Sequence, residues 1–191
     1  MKIYFFGGSF DPPHRGHLSI IQSCITKAQK LILVPTNQSP LKKSTPAASA
    51  YHRMQMLKLL IKSIDFPISI DSWEMDRMEI NYTYDTIKYL KKKYPDSKLF
   101  MVIGGDQMGK FNKWKNYKKI MDMVQLVLFE RPNYEVKMLK DMKVNYISDM
   151  ELDISSSSIR RKINSGEISI NDLNQVIINY IQDNNLYGYN T

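Results

Sequence analysis

A single cysteine, Cys24, stands in the 191 residues, which excludes an internal disulfide and any metal site built from several cysteines. It falls on an apolar helical stripe and reads as a small core residue. No stretch reaches the roughly 18 apolar residues of a membrane span, and the apolar start is too short for a secretory leader. A cytoplasmic protein without membrane contact is therefore expected. Linkers rich in Gly, Ser or Pro are absent, as are internal repeats, so residues 1–191 are expected to form one domain with a helical C-terminal portion at about 155–187. Acidic residues are the scarcer charge. Nineteen Asp plus Glu face 27 Lys plus Arg, a formal net charge of +8. The lysines are scattered over helical faces, as at Lys91 to Lys93, Lys118 and Lys119, and form no basic arm interleaved with aromatics. Such an excess accepts a small phosphorylated ligand as readily as a nucleic acid.

Short apolar runs recur: Lys2–Phe6, Leu31–Pro35, Ile68–Asp71, Leu99–Gly104, Gln125–Phe129 and a weaker Val144–Ile147. Helical patterns separate most of them, at about 14–28, 51–64, 83–93, 116–122, 155–165 and 171–183. Alternation of this kind predicts an α/β fold with a doubly wound, mostly parallel sheet. The stretch Thr36 to Ala50 follows a strand, so it belongs at the carboxyl edge, where open α/β sheets bind ligands.

The run Gly7-Gly8-Ser9-Phe10-Asp11-Pro12-Pro13-His14-Arg15-Gly16-His17 lies between the first strand and the first helix. Glycines permit close backbone approach, prolines stiffen the loop, and the helix N-terminus offers free N–H groups and a positive dipole end to an anion. His17, and His14 beside it, suit donation to phosphate oxygens as charge builds in phosphoryl-group transfer. A second cradle is Ile154-Ser155-Ser156-Ser157-Ser158-Ile159-Arg160, where hydroxyls, helix N–H groups and a guanidinium converge. Two helix N-termini of this kind can clamp a triphosphate from opposite sides, with Arg160 on the pyrophosphate charge.

Two further groups of residues stay open on this reading. Gly104-Gly105-Asp106 closes an apolar strand, where a ribose or ring can approach and Asp106 can accept hydrogen bonds; Trp114, eight residues on, serves stacking on a ligand or core packing equally well. Asn81-Tyr82-Thr83-Tyr84-Asp85-Thr86 heads a helix, with Thr83 as a candidate N-cap and Tyr82 and Thr83 as candidate ligand contacts.

Taken in order, these motifs resemble the H-x-G-H nucleotidyltransferases, and specifically the bacterial-type nicotinate mononucleotide adenylyltransferase family. The resemblance covers nearly the whole chain. Pro35-Thr36-Asn37-Gln38-Ser39-Pro40 fits the second-strand loop, Tyr82-Thr83 with Thr86 the Y-T-x-x-T element, and Phe129-Glu130-Arg131-Pro132 the middle of the family pattern. Ile154 to Arg160 fits I-S-[ST]-[ST]-x-I-R. It implies a Rossmann-like sheet and in-line transfer of AMP from ATP to nicotinic acid mononucleotide, giving deamido-NAD and pyrophosphate without a covalent intermediate. On that basis Gly7, Gly8, Ser9, Phe10, His14, His17, Gly104, Asp106, Ile154, Ser155, Ser156 and Arg160 hold ATP, with His14, His17 and Arg160 catalytic. Asn37, Lys42, Tyr82, Thr83, Trp114 and Arg131 hold the mononucleotide, and Trp114 stacks on the pyridine ring. Mg²⁺ would be held by the ATP phosphates and water, with no protein ligand set.

The chain departs from the family at Gly105, where the middle of Gly-x-Asp is usually more varied, and at Leu41-Lys42-Lys43, where a His before a basic residue is common. Alternatives are phosphopantetheine adenylyltransferase, which usually carries Lys at the position of Arg160, a preference for nicotinamide mononucleotide, and a non-catalytic nucleotide- or RNA-binding module. Homo-oligomer formation is open.

Overall fold

A computed structural model of the chain describes residues 1–38, 40, 45–77, 80–129, 142, 144–147 and 154–189. Six strands carry the apolar runs: β1 (Lys2–Gly8), β2 (Lys30–Pro35), β3 (Ile68–Ile70), β4 (Lys98–Gly104), β5 (Gln125–Phe129) and β6 (Val144–Ile147). All pair in parallel in the order β3-β2-β1-β4-β5-β6. This is the doubly wound order, reversing between β1 and β4, and such sheets bind ligands outside the carboxyl ends at that reversal.

The helices are α1 (Arg15–Ile25), α2 (Ala50–Ile61), α3 (Thr83–Lys93), α4 (Gly105–Met108), α5 (Tyr117–Met123), α6 (Ser156–Asn164) and α7 (Gln175–Asp183). Strand residues alternate between two cores because successive side chains point to opposite faces. Tyr4, Phe6, Leu31, Leu33, Phe100, Val102, Val127 and Phe129 meet α1, α2, α6 and α7 on one face. Ile3, Phe5, Ile32, Val34, Leu99, Met101, Ile103, Leu126 and Leu128 meet α3 and α5 on the other. Burial on both faces explains why the strands read as continuous apolar runs.

Some boundaries differ from expectation. The last helix begins at Gln175, not 171, because Asp172 and Leu173 turn back through amide bonds to the Ser169 carbonyl and Asn174 is extended at φ −70°, ψ 145°. α4 was not expected. Its four residues are too few to show a 3.6-residue period, yet they redirect the chain directly after β4. Among the described residues no helix is long and apolar enough to cross a membrane.

Cys24 sits on the α1 face against the sheet with no exposed surface. Burial pushes its thiol up to about 12, with Lys27 pulling weakly the other way. Since the thiolate is the reactive form, a maleimide at about pH 8 should leave the native protein unlabelled and label one thiol per chain after unfolding in urea. Rapid labelling of the native protein would contradict the packing of α1.

Candidate active site

The carboxyl ends of β1, β4 and β5 open into a cavity of about 790 Å³, within the range of small-molecule sites. Every residue expected to hold ATP lines it: Gly7, Gly8, Ser9, Phe10, His14, His17, Gly104, Asp106, Ile154, Ser155, Ser156 and Arg160. Of the acceptor group, Tyr82, Thr83 and Trp114 line it as well. Asn37 does not, and its amide donates instead to the Arg77 carbonyl at 3.5 Å. Lys42 and Arg131 lie outside the described residues.

The H-x-G-H run is built one position at a time. His14 is the N-cap residue of α1, extended at φ −144°, ψ 175° and only 3% exposed. Its backbone N–H donates to His17 Nδ1 at 3.2 Å, which leaves the proton of a neutral His17 ring on Nε2. The two rings lie with centroids 3.8 Å apart, and the buried Phe10 ring supports His17 at 4.9 Å. Phe10 therefore belongs to the core through its side chain, and only its backbone is available to a ligand. Arg15 points away, donating through Nε to the Ile170 carbonyl at 2.6 Å. Gly16 is tightly packed: a Cβ there would lie 3.1 Å from His14 Cε1 and Nδ1, so the His14 ring would have to give way.

The second jaw is α6. Ser155 caps it by accepting from the Ser158 N–H at 3.1 Å, and Ser156 Oγ donates to the Pro12 carbonyl at 3.0 Å. Arg160 Nη1 donates to the Asp11 carbonyl at 2.6 Å and lies 3.5 Å from Asp11 Oδ2. Both helix N-termini thus face one cavity.

Asp11 is the residue whose importance the motif alone did not reveal. Its carboxylate, 2% exposed, accepts from the Ala47 and Ala48 amides at 2.7 and 3.0 Å and from the Tyr187 hydroxyl at 2.9 Å. Burial pushes the Tyr187 phenol well up, and the adjacent Asp11 charge adds to it. Arg53, 1% exposed, donates to the Ser9 and Thr36 carbonyls at 2.7 and 2.8 Å. Burial lowers its pKa against the attraction of Asp11 and Tyr187, and a guanidinium stays charged regardless. No sequence signal marked Arg53 or Tyr187, because their partners are 17 to 176 residues distant.

At the other end, the cap of α3 is Tyr82 and not Thr83: Tyr82 is extended at φ −99°, ψ 137°, and Thr83 is already helical. An N-cap residue must leave the helical region, and Tyr82 provides no side-chain cap bond. Trp114 packs on the core and also borders the cavity. One side packs near Phe111, with centroids 5.3 Å apart, and the residue also lines the cavity. Its buried Nε1 has no hydrogen-bond partner among the described residues. Gly105 begins α4 and is buried, while a Cβ on Gly104 would meet Asp106 Oδ1 at 2.8 Å and push that carboxyl aside.

Two substitutions test this arrangement. Gly16→Ala should displace the His14 ring by a few tenths of an ångström and lower kcat about tenfold with little change in Tm. Tyr187→Phe removes one donor from a buried charge and should cost about 2 kcal/mol in urea unfolding. An unchanged unfolding free energy would remove Tyr187 from the Asp11 network.

Residues 5–162 match the cytidylyltransferase-like family. A probable nicotinate-nucleotide adenylyltransferase of Methylacidiphilum infernorum (isolate V4) is 34% identical over 189 residues, covering 97% of this chain and 92% of its own length. The nicotinate-nucleotide adenylyltransferase of Bacillus subtilis (strain 168) is 30% identical over 188 residues, covering 97% and 98%. Among solved structures, Plasmodium falciparum nicotinic acid mononucleotide adenylyltransferase complexed with NaAD matches the fold with a TM-score of 0.82 at 23% identity, covering 99% of this chain and 98% of that one. With the two-jawed cavity, these likenesses extend over nearly all of the chain, which belongs to the cytidylyltransferase-like family and, within it, to the nicotinate-nucleotide adenylyltransferases.

Proposed function

We propose that ATP lies along the β1–α1 loop and the start of α6, that nicotinic acid mononucleotide lies between Tyr82–Thr83 and Trp114, and that His14, His17 and Arg160 carry the transfer. The chain is a nicotinate-nucleotide adenylyltransferase of NAD biosynthesis: it moves AMP from ATP to nicotinic acid mononucleotide and releases pyrophosphate. One observation carries the residue assignment. The N-termini of α1 and α6 face the same cavity, locked together where Arg160 and Ser156 reach the Asp11 and Pro12 carbonyls.

In this reading the acceptor's phosphate oxygen forms a bond to the α-phosphorus while the bond to the β-phosphate oxygen breaks. Charge accumulates on the departing pyrophosphate. His17, whose Nδ1 is occupied by the His14 amide, presents Nε2–H to that charge, and Arg160 presents its guanidinium from the opposite jaw. Neither group needs to form a covalent bond; fixed donors aimed at developing charge supply the rate. Asp106 and the bare Gly104 would receive the nucleoside.

A divalent ion, Mg²⁺ in this proposal, would arrive on the ATP phosphates and neutralise part of their charge. Among the described residues no three His, Cys, Asp or Glu side chains gather as a metal site, and the Asp11 oxygens already hold two amides and a hydroxyl. That donor set suits an ion coordinated by phosphates and water. For the acceptor, α3 begins at the cavity without a side-chain cap bond, so its positive end favours a carboxylate over an amide. A single catalytic domain acting in the cytoplasm completes the proposal.

Pyrophosphate release from ATP should be fastest with nicotinic acid mononucleotide, with kcat/KM at least about tenfold above that for nicotinamide mononucleotide. Phosphopantetheine as the best acceptor would overturn the assignment, and binding of ATP without release for any acceptor would point to a non-catalytic module. His17→Ala should lower kcat by about 10² to 10³ in a protein of unchanged circular dichroism.

A further inference from the structure

Glu74 follows β3 and is 8% exposed, yet it lines the cavity at its acceptor end. Its Oε1 accepts from the Thr86 hydroxyl at 2.6 Å, and the Thr36 hydroxyl donates to the same carboxyl. Its backbone carbonyl accepts from the buried Asn81 amide at 2.8 Å. These contacts link the start of α3 to the loop after β2 directly at the cavity wall. Thr86 belongs to the first turn of α3, to which the whole Asp71–Glu74 segment is fastened: Trp73 stacks on Tyr89 at 4.8 Å, and Asp71 accepts from Lys93 at 2.9 Å. Thr36 belongs to the phosphate side. Its N–H donates to the Gly8 carbonyl at 2.9 Å, and its carbonyl accepts from Arg53 at 2.8 Å.

We propose that Glu74 is a positioning residue for the acceptor: by bridging Thr36 and Thr86 it fixes the distance between the α3 shelf and the phosphate loop. The inference rests on the placement of the mononucleotide between Tyr82–Thr83 and Trp114. In-line attack needs the acceptor oxygen about 3 to 3.5 Å from the α-phosphorus, and in the proposed placement the two substrates rest on the two cavity walls that Glu74 links. A merely space-filling role would be better served by an apolar side chain, because burying a carboxyl is costly. Burial indeed pushes the Glu74 carboxyl up, opposed by the hydrogen bonds from Thr86 and Thr36 and reinforced by Asp71. What an apolar residue lacks is oxygen able to meet two hydroxyls from opposite walls.

The test is steady-state kinetics on full-length protein with each substrate varied in turn. Glu74→Ala should raise KM for nicotinic acid mononucleotide about tenfold and lower kcat, leaving KM for ATP within about twofold. Glu74→Gln keeps an acceptor and can still meet both hydroxyls, so it should restore most of the lost kcat/KM. Thr36→Val and Thr86→Val each remove one hydroxyl without changing shape and should move the same KM in the same direction, which keeps the test alive if Glu74→Ala fails to fold. Equal rises in both KM values, or a Gln variant as impaired as the Ala variant, would overturn the proposal. Trp114→Ala serves as the reference for the acceptor position. If it raises the mononucleotide KM while Glu74→Ala and both valine variants do not, only the role of Glu74 fails; if it does not, the acceptor placement fails as well.

Discussion

The buried carboxylate of Asp11 is the constraint on which the site depends. A charge removed from water must be met by donors from every side, and here they come from three distant parts of the chain: the Ala47 and Ala48 amides, the Arg160 guanidinium and the Tyr187 hydroxyl. Satisfying one carboxylate therefore places the start of α6, the segment before α2 and the C-terminal turn against the β1–α1 loop. Arg53 repeats the device with opposite sign, drawing the Ser9 and Thr36 carbonyls together. Apart from Arg160, the groups that hold this geometry are not among those proposed to touch a nucleotide.

The sheet supplies the platform for this arrangement. Its order reverses between β1 and β4, so the loops after those strands diverge and leave a crevice between them. The β1 loop provides the histidines, the β4 end provides Gly104 and Asp106, and α3 closes the side toward β2 through Glu74 and Thr86. A rigid, doubly covered sheet is what lets side chains from residues 14 to 160 hold one geometry.

All six strands were legible as short apolar runs and the six longer helices by their period, and Thr83–Lys93 and Gln125–Phe129 came out at the expected residues. α4 was not, being shorter than two turns. The H-x-G-H loop could be read because its chemistry is contiguous: cap, bare glycine and histidine lie within four residues. Asp11, Arg53, Tyr187 and Glu74 could not be assigned roles in advance, since a buried polar residue is identified by partners that only the fold supplies. Thr83 misled for a local reason, as threonine is a favoured cap, while the backbone selects Tyr82 by its extended dihedrals. Trp114 was undecidable because a large aromatic ring can pack on the core and still border a cavity, as it does here. Asn37 matched the family pattern in sequence, yet it turns its amide toward the Arg77 carbonyl.

The hydroxyl that completes the Asp11 shell comes from Tyr187, 176 positions further along the chain and in the left-handed region at φ 61°, ψ 27°. Contacts of such separation form late, because the loop they close must be paid for in entropy before they contribute. Damage to the turn around Tyr187 is thus felt 176 positions earlier, at the loop beside a cavity that Tyr187 itself does not line.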